Sequence, residues 1–261
     1  HGFSKANEGN AKITITNFAW NSSTAKGGLW YDKRPTTQDY NIRDLEVSCT
    51  GTTRGYAFYN CNNLSNCTGT GTGTGEYGGY GFTYCTNLTN CTGTGSGTYG
   101  YGFSTCNNLS NCTGTGTGTT QGSGFYNCDN LSNCTGTCTG TNSYGFSDCD
   151  NLSNCTGTGT GSKARGFYDC NNLSNCTGTG TGTGTGSNGS GFYYCNNLSN
   201  CTGTGTGDYG YGFFGCDNLS NCTGTGTTGA TYGYGFYSID YAVNCKDGGS
   251  STNMWGGTNK N

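Results

Sequence analysis

The chain has 261 residues, of which 52 are Gly, 19 are Cys and one is Pro, with 30% hydrophobic and 10% charged. So little apolar content excludes one large globular core, and so little charge excludes an expanded disordered chain. A net charge of −3 with 11 basic residues gives no footprint for nucleic acid, and no stretch approaches the roughly 20 apolar residues of a membrane span. A narrow rod with a thin core fits this composition.

The chain starts at His1 and its only Met is Met254. Together with the dense cysteines, this leads us to expect a processed N-terminus and a secreted protein, extracellular or at the cell surface. Residues 1–42 differ in composition from the rest. Lys12–Trp20 alternates like a strand and is succeeded by Trp30, Tyr31 and Tyr40. This segment is expected either to cap the first coil of a repeat array or to donate a strand to a neighbouring subunit.

Residues 43–245 form that repeat array. The unit G-F-x-x-C-x-N-L-S/T-N-C-T-G-T-G recurs with its first Cys at Cys61, Cys85, Cys106, Cys128, Cys149, Cys170, Cys195 and Cys216. The second Cys lies six positions later, at Cys67, Cys91, Cys112, Cys134, Cys155, Cys176, Cys201 and Cys222. Degenerate copies flank the array. At one end Leu45 and Cys49 read as the second half of a unit, with Arg43 in place of the first Cys. At the other, Phe236, Ile239, Ala242 and Cys245 keep the spacing. Residues that recur once per coil stack on their counterparts, so each repeated position becomes a ladder.

The fold class read from this pattern is all-β, a β-solenoid, leucine-rich-repeat-like or β-helix-like, of about nine to ten short coils. Phe (Phe58 to Phe236), Cys and Leu (Leu64 to Leu219) form its core ladders. Each Phe buries on the order of 2 kcal/mol of apolar surface. The Thr-Gly tracts read as strands with every Thr on one face and every Gly on the other, which lets two backbone layers approach closely. The tracts vary in length, so their extra residues are expected to bulge outward. Residues 246–261 read as a flexible or docking tail anchored by Trp255.

The half-motif Y-A-F-Y-N-C-N-N-L-S-N-C, Tyr56 to Cys67, resembles the BspA-type leucine-rich repeat of bacterial and protist surface proteins. The resemblance covers roughly residues 43–245 and implies an extracellular or cell-surface solenoid. The chain departs from the family where Cys-Thr-Gly-Thr-Gly replaces its apolar strand and Ile-Pro step. We therefore expect a flatter, straighter rod than the family's horseshoe.

The six-residue Cys spacing is not a zinc pattern, and His1 is the sole histidine, so neither a metal nor another cofactor is expected. Three disulfide schemes are open. Bonds within each unit (Cys61 with Cys67, and so on) leave Cys49, Cys138 and Cys245 over, with Cys49 and Cys245 placed to join successive subunits. Staggered bonds run from Cys49–Cys61 through to Cys222–Cys245, and stacked bonds run down each column. A bridge needs Cα atoms within about 7 Å, which favours the first scheme if the coil turns between its two cysteines. A reduced ladder of buried thiols is the fourth reading.

Each full unit carries two overlapping N-x-S/T sequons. Their candidate glycosylation sites are Asn63, Asn66, Asn87, Asn90, Asn108, Asn111, Asn130, Asn133, Asn151, Asn154, Asn172, Asn175, Asn197, Asn200, Asn218 and Asn221, with Asn21 and Asn188 outside the pattern. The alternative is an Asn ladder satisfying backbone groups at each turn. Candidate O-linked positions are Thr70, Thr72, Thr115, Thr117, Thr179 and Thr181. The same tracts, with Thr about 7 Å apart along a strand and coils about 4.8 Å apart, resemble the ice-binding faces of Cys-rich, Thr-rich antifreeze solenoids. Tyr59, Tyr80, Tyr101, Tyr126, Tyr144, Tyr168, Tyr193 and Tyr211 flank the Phe column as aromatic stripes. Asp129, Asp150, Asp169 and Asp217 read as solvated turn residues.

No Ser/His/Asp set, dinucleotide loop or phosphate loop is present, so no enzyme is expected. The leading expectation is a structural subunit of an extracellular fibre that polymerises head to tail with copies of itself and carries covalent glycans. Ice binding is the alternative, and a surface adhesin the second.

Overall fold

The structure, a computed structural model, describes residues 27–30, 43–51, 53–75, 77–226, 232–248 and 258–260. The regular elements among them are all strands, joined in parallel to the coils on either side, so the array is a β-solenoid. Each coil has three parts. An aromatic strand such as Lys163–Tyr168 leads into an arc through the two cysteines, which contains a two-residue strand such as Leu173–Ser174. A Thr-Gly strand such as Thr177–Gly182 completes the coil. The Thr-Gly and aromatic strands share an 18-stranded sheet, and six Leu-Ser strands lie with Tyr241–Val243 and Thr258–Lys260 in an 8-stranded one.

The arc bends because every third residue takes a left-handed backbone conformation. In one coil these are Asn127 (φ 51°), Asn130 (φ 59°) and Asn133 (φ 53°). Asn enters this region at low cost, which is why the unit spends its asparagines there. The turned residues still continue the ladder: their N–H groups donate to Ser147, Asp150 and Ser153 of the next coil at 3.0 Å.

The arc and the aromatic strand enclose the core. Phe58, Phe82, Phe103, Phe125, Phe146, Phe167, Phe192, Phe213 and Phe236 are fully buried, beside the Leu and Cys columns. Successive Phe rings lie 4.6 to 5.1 Å apart and within 2° to 6° of parallel. Neighbouring strands ordinarily rotate by about 20–25°. The near-parallel rings therefore mark a stack with little twist, in keeping with a straight rod.

Away from the Phe column the coil thins to two backbone layers. A Cβ on Gly159 would stand 2.4 Å from the Ser143 carbonyl oxygen, and one on Gly180 would stand 2.3 Å from the Ser190 backbone nitrogen. Only glycine permits that approach. The layers join at the tip of the coil, and the variation in coil length is absorbed there. The long coil places Thr183–Gly186 as an exposed turn, while Thr177–Thr181 stays in register with Thr202–Thr206.

The first coil departs from the sequence expectation. Glu46 pairs with Thr68 and Cys49 with Gly71, so Leu45, not Cys49, occupies the second-Cys column. Arg43 bridges to Ser65 instead of taking the first-Cys position. Cys49 sits in the inner column otherwise held by Gly, as Cys138 does between Gly116 and Gly159. The reason is register: each strand follows the hydrogen bonds of its neighbour, and an apolar Leu fills the thiol position as well as Cys does. The last coil keeps its expected alignment, with Ala242 on Leu219 and Phe236 on Phe213.

Short strands lie on both terminal coils. Gly27–Trp30 pairs with Gly55–Tyr59, with the backbone of Leu29 in register with Phe58. Lys246–Asp247 pairs with the last Thr-Gly strand, and Thr258–Lys260 with Tyr241–Val243. The predicted strand Lys12–Trp20 lies outside the described residues, as do His1, Asn21, Tyr31, Tyr40 and Trp255.

Candidate functional surfaces

The asparagine arc carries the sequons, and the structure arranges them in two lines. Asn63, Asn87, Asn108, Asn130, Asn151, Asn172, Asn197 and Asn218 form one left-handed column, and Asn66, Asn90, Asn111, Asn133, Asn154, Asn175, Asn200 and Asn221 another. Their side chains ladder between coils. Asn87 Nδ2 donates to Asn63 Oδ1 (3.1 Å), Asn90 to Asn66 (3.3 Å), Asn197 to Asn172 (3.1 Å) and Asn218 to Asn197 (3.2 Å). A further ladder lies just past the first Cys, where Asp129, Asp150 and Asp217 each accept a backbone N–H from the next coil at 2.7 to 3.0 Å. Those aspartates hold coils together; Asp169 instead takes a left-handed corner (φ 51°).

The Thr-Gly strands form the most regular surface of Thr side chains, in register from coil to coil. Thr68, Thr92, Thr113, Thr135, Thr156, Thr177, Thr202 and Thr223 are aligned residue on residue. So are Thr70, Thr94, Thr115, Thr137, Thr158, Thr179, Thr204 and Thr225, and beside them Thr72, Ser96, Thr117, Thr139, Thr160, Thr181 and Thr206. All are exposed or half-exposed, while the intervening Gly and Cys138 point inward.

On the aromatic side, the tyrosines divide between two columns. Tyr56, Tyr80, Tyr101, Tyr144, Tyr211 and Tyr234 stand two residues before the Phe, and Tyr59, Tyr126, Tyr168, Tyr193, Phe214 and Tyr237 one residue after it. In the middle coils, from Gly79–Thr83 to Asn188–Tyr193, one of the two positions is aromatic and the other is not. Where Ser123 stands in the first, Tyr126 of the second fills the gap and stacks on Tyr101 at 5.0 Å. Arg165 occupies the first column, buried, with its guanidinium 4.0 Å from the Tyr193 ring centre and 5.3 Å from that of Tyr168. Its Nε has no hydrogen-bond partner. Sequence reasoning missed Arg165, although aligning the second position of G-x-G-F would have exposed a lone cation among tyrosines. Tyr84 and Tyr194 are half exposed, and the Tyr194 ring lies over Gly215, where a Cβ would meet it at 2.5 Å.

All nineteen cysteines stand as buried thiols. The first and second Cys of a unit belong to different columns, and what the structure brings together is column neighbours. In the first column the Cys106 backbone N–H donates to Cys128 Sγ at 3.3 Å, and the Cys106 thiol donates to the Ser104 carbonyl at 3.3 Å. In the second, the Cys112 thiol lies within reach of the Ser110 carbonyl at 3.4 Å and the Leu88 carbonyl of the preceding coil at 3.6 Å. Burial pushes the thiols of Cys106, Cys170 and Cys216 well above the ordinary range. Among the described residues no three or more His, Cys, Asp or Glu side chains gather as a metal site, and no helix is long and apolar enough to cross a membrane.

The repeat pattern is similar to the BspA type Leucine rich repeat region, which matches in six copies over residues 41–132, 98–199 and 141–242. No curated protein and no solved structure matches the chain. The matched spans together take in well over half of the sequence, and they cover the coils that carry the Phe, Cys and Leu ladders. The chain therefore belongs to the BspA-type leucine-rich repeat family.

Proposed function

We propose that this chain is a non-enzymatic structural protein of an extracellular surface, a rod whose copies stack head to tail into a fibre. The observation that carries this reading is the constancy of register. Each full coil offers the next the same row of backbone groups and the same Phe, Leu and Cys columns, and the last coil continues the pairing with Ala242 in the Leu column. The chain already adds strands at its ends: Gly27–Trp30 docks in parallel on the first aromatic strand and Thr258–Lys260 on the last coil. Head-to-tail contacts of this kind are heterologous and propagate.

The family supports a surface-associated scaffold, and burial lets reduced thiols persist in an oxidising medium. Any glycans are sparse in this reading. Asparagines on successive coils stand about 4.8 Å apart, which leaves no room for a sugar on each. The test is electron microscopy of the purified chain. Filaments with an axial repeat of roughly 45 Å, about nine coils at the inter-strand spacing, are expected; short single rods alone would refute assembly. A second reading, adhesion, draws on the exposed rings of Tyr84 and Tyr194. A pull-down of glycan or host protein that weakens in Tyr84→Ser and Tyr194→Ser would favour it.

A further inference from the structure

The threonine plane has properties that filament assembly leaves unused. It is periodic in two directions. Thr recurs about every 6.7 Å along a strand and about every 4.8 Å from coil to coil. Eight coils carry the first two columns without interruption, because insertions are confined to the tip of the coil. Rings stacked within 2° to 6° of parallel beneath it show how little the stack twists, so the columns stay close to coplanar.

Its groups are held in place. Thr is stiff at χ1, and neighbouring hydroxyls tie to one another and to the backbone. Ser96 Oγ donates to Thr72 Oγ1 at 3.3 Å, Thr115 and Thr137 share a hydrogen bond of 3.3 Å, and Thr117 donates to the Gly95 carbonyl at 3.3 Å. The plane is also neutral. Glu46 and Lys246 close the first column at its two ends, and from Thr68 to Thr223 that column is Thr alone. Asp129, Asp150, Asp169 and Asp217 lie on the arc, and the stacked Phe rings lie beneath the plane.

These properties select the ligand. Every cell of the plane is alike and none is concave, so a small molecule would engage one or two cells and gain little. A flat, periodic partner engages all of them, over an area on the order of 450 Å² at these spacings. An ionic mineral would call for charge on the plane, and a crystalline polysaccharide for exposed rings; the plane supplies neither. It supplies a hydroxyl and a methyl per cell, the hydroxyl able to take a water's place in an ordered layer and the methyl a poor competitor for water. We infer that this face binds the surface of ice.

The inference is independent of filament formation and is tested on the full chain in a nanolitre osmometer, with sedimentation run on the same preparation. The expected result is a gap between melting and freezing points, with faceted crystals. Thr137→Tyr and Thr158→Tyr, in the middle of the plane, lose most of that gap while keeping the wild-type circular dichroism and unfolding midpoint. Lys163→Ala, exposed and off the plane, keeps it in full. If the wild-type chain freezes at its melting point with rounded crystals, the inference is overturned. If in addition the wild type sediments as a dimer that Thr158→Tyr dissociates, the plane is a face for a second copy instead. Single rods with hysteresis would overturn the filament reading and leave this one standing; filaments without hysteresis would do the reverse.

Discussion

Replacing Phe146 by Ala tests the nearest-neighbour picture of the stack most directly. The ring is fully buried, with Phe125 4.8 Å away on one side and Phe167 4.9 Å away on the other. Gly136 and Gly157 leave their Cβ positions 2.9 to 3.0 Å from this ring, so the ring packs flush against two backbones. Those backbones are pinned by ladder hydrogen bonds, and the site has little freedom to collapse. Truncating a buried Phe costs about 3–5 kcal/mol, and poor collapse places Phe146→Ala near the top of that range. Phe236, in the degenerate last coil, stacks on Phe213 at 5.1 Å; Phe236→Ala should cost about 1 kcal/mol less, the size of one ring contact. Because each coil touches only its neighbours, damage at the centre also uncouples the two halves. Urea unfolding monitored by far-ultraviolet circular dichroism should show a lowered midpoint and a broadened or split transition for Phe146→Ala, largely restored in Phe146→Leu. A cost below about 2 kcal/mol at Phe146, or an equal cost at Phe236, would refute the reasoning.

The left-handed corners separate backbone from side-chain effects: with Asn151 at φ 60°, Asn151→Ala should destabilise by about 1–2 kcal/mol and Asn151→Gly by clearly less, read from thermal midpoints. Buried Arg165 has an unpartnered Nε, so Arg165→Met should match or exceed the wild type in stability. Arg165→Ala, which also loses the stacking on Tyr193, should be the less stable of the two by thermal melting. The thiol columns predict a pH effect. At Cys106 and Cys170 burial raises the folded thiol value, so at these two positions the unfolded chain loses its proton first, whereas hydrogen bonds from neighbouring thiols hold Cys112 and Cys176 low. The contribution of Cys106 and Cys170 to stability should be flat below an unfolded value of about 8.5 and fall as pH rises above it. If the thiols are paired as disulfides instead, that fall will be absent, and alkylation in denaturant without reductant will label few cysteines.

The ladders were legible in the order of residues alone. A residue type that returns once per coil has to stack on its own copies, so Phe58 to Phe236 and Leu64 to Leu219 could be assigned to the core from their spacing. Alternation in the Thr-Gly tracts set which side each Thr takes, since side chains along an extended strand alternate by geometry. The asparagines were legible as turn residues because few other side chains tolerate the left-handed region.

How one coil is indexed against the next was settled only in three dimensions. Cys49 matches the unit by spacing, yet inter-coil hydrogen bonds align it with Gly71 and give the thiol position to Leu45; no local pattern encodes that shift. The same holds for the two tyrosine columns and for Arg165, whose environment is assembled from Tyr144, Tyr168 and Tyr193 on three coils. It holds as well for the cysteines, two per unit in sequence but neighbours along the rod in space. The reason is common to all three: sequence spacing sets where a side chain sits within its own coil, whereas its contacts come from the coils above and below, and those are fixed by backbone pairing across 21 to 25 residues.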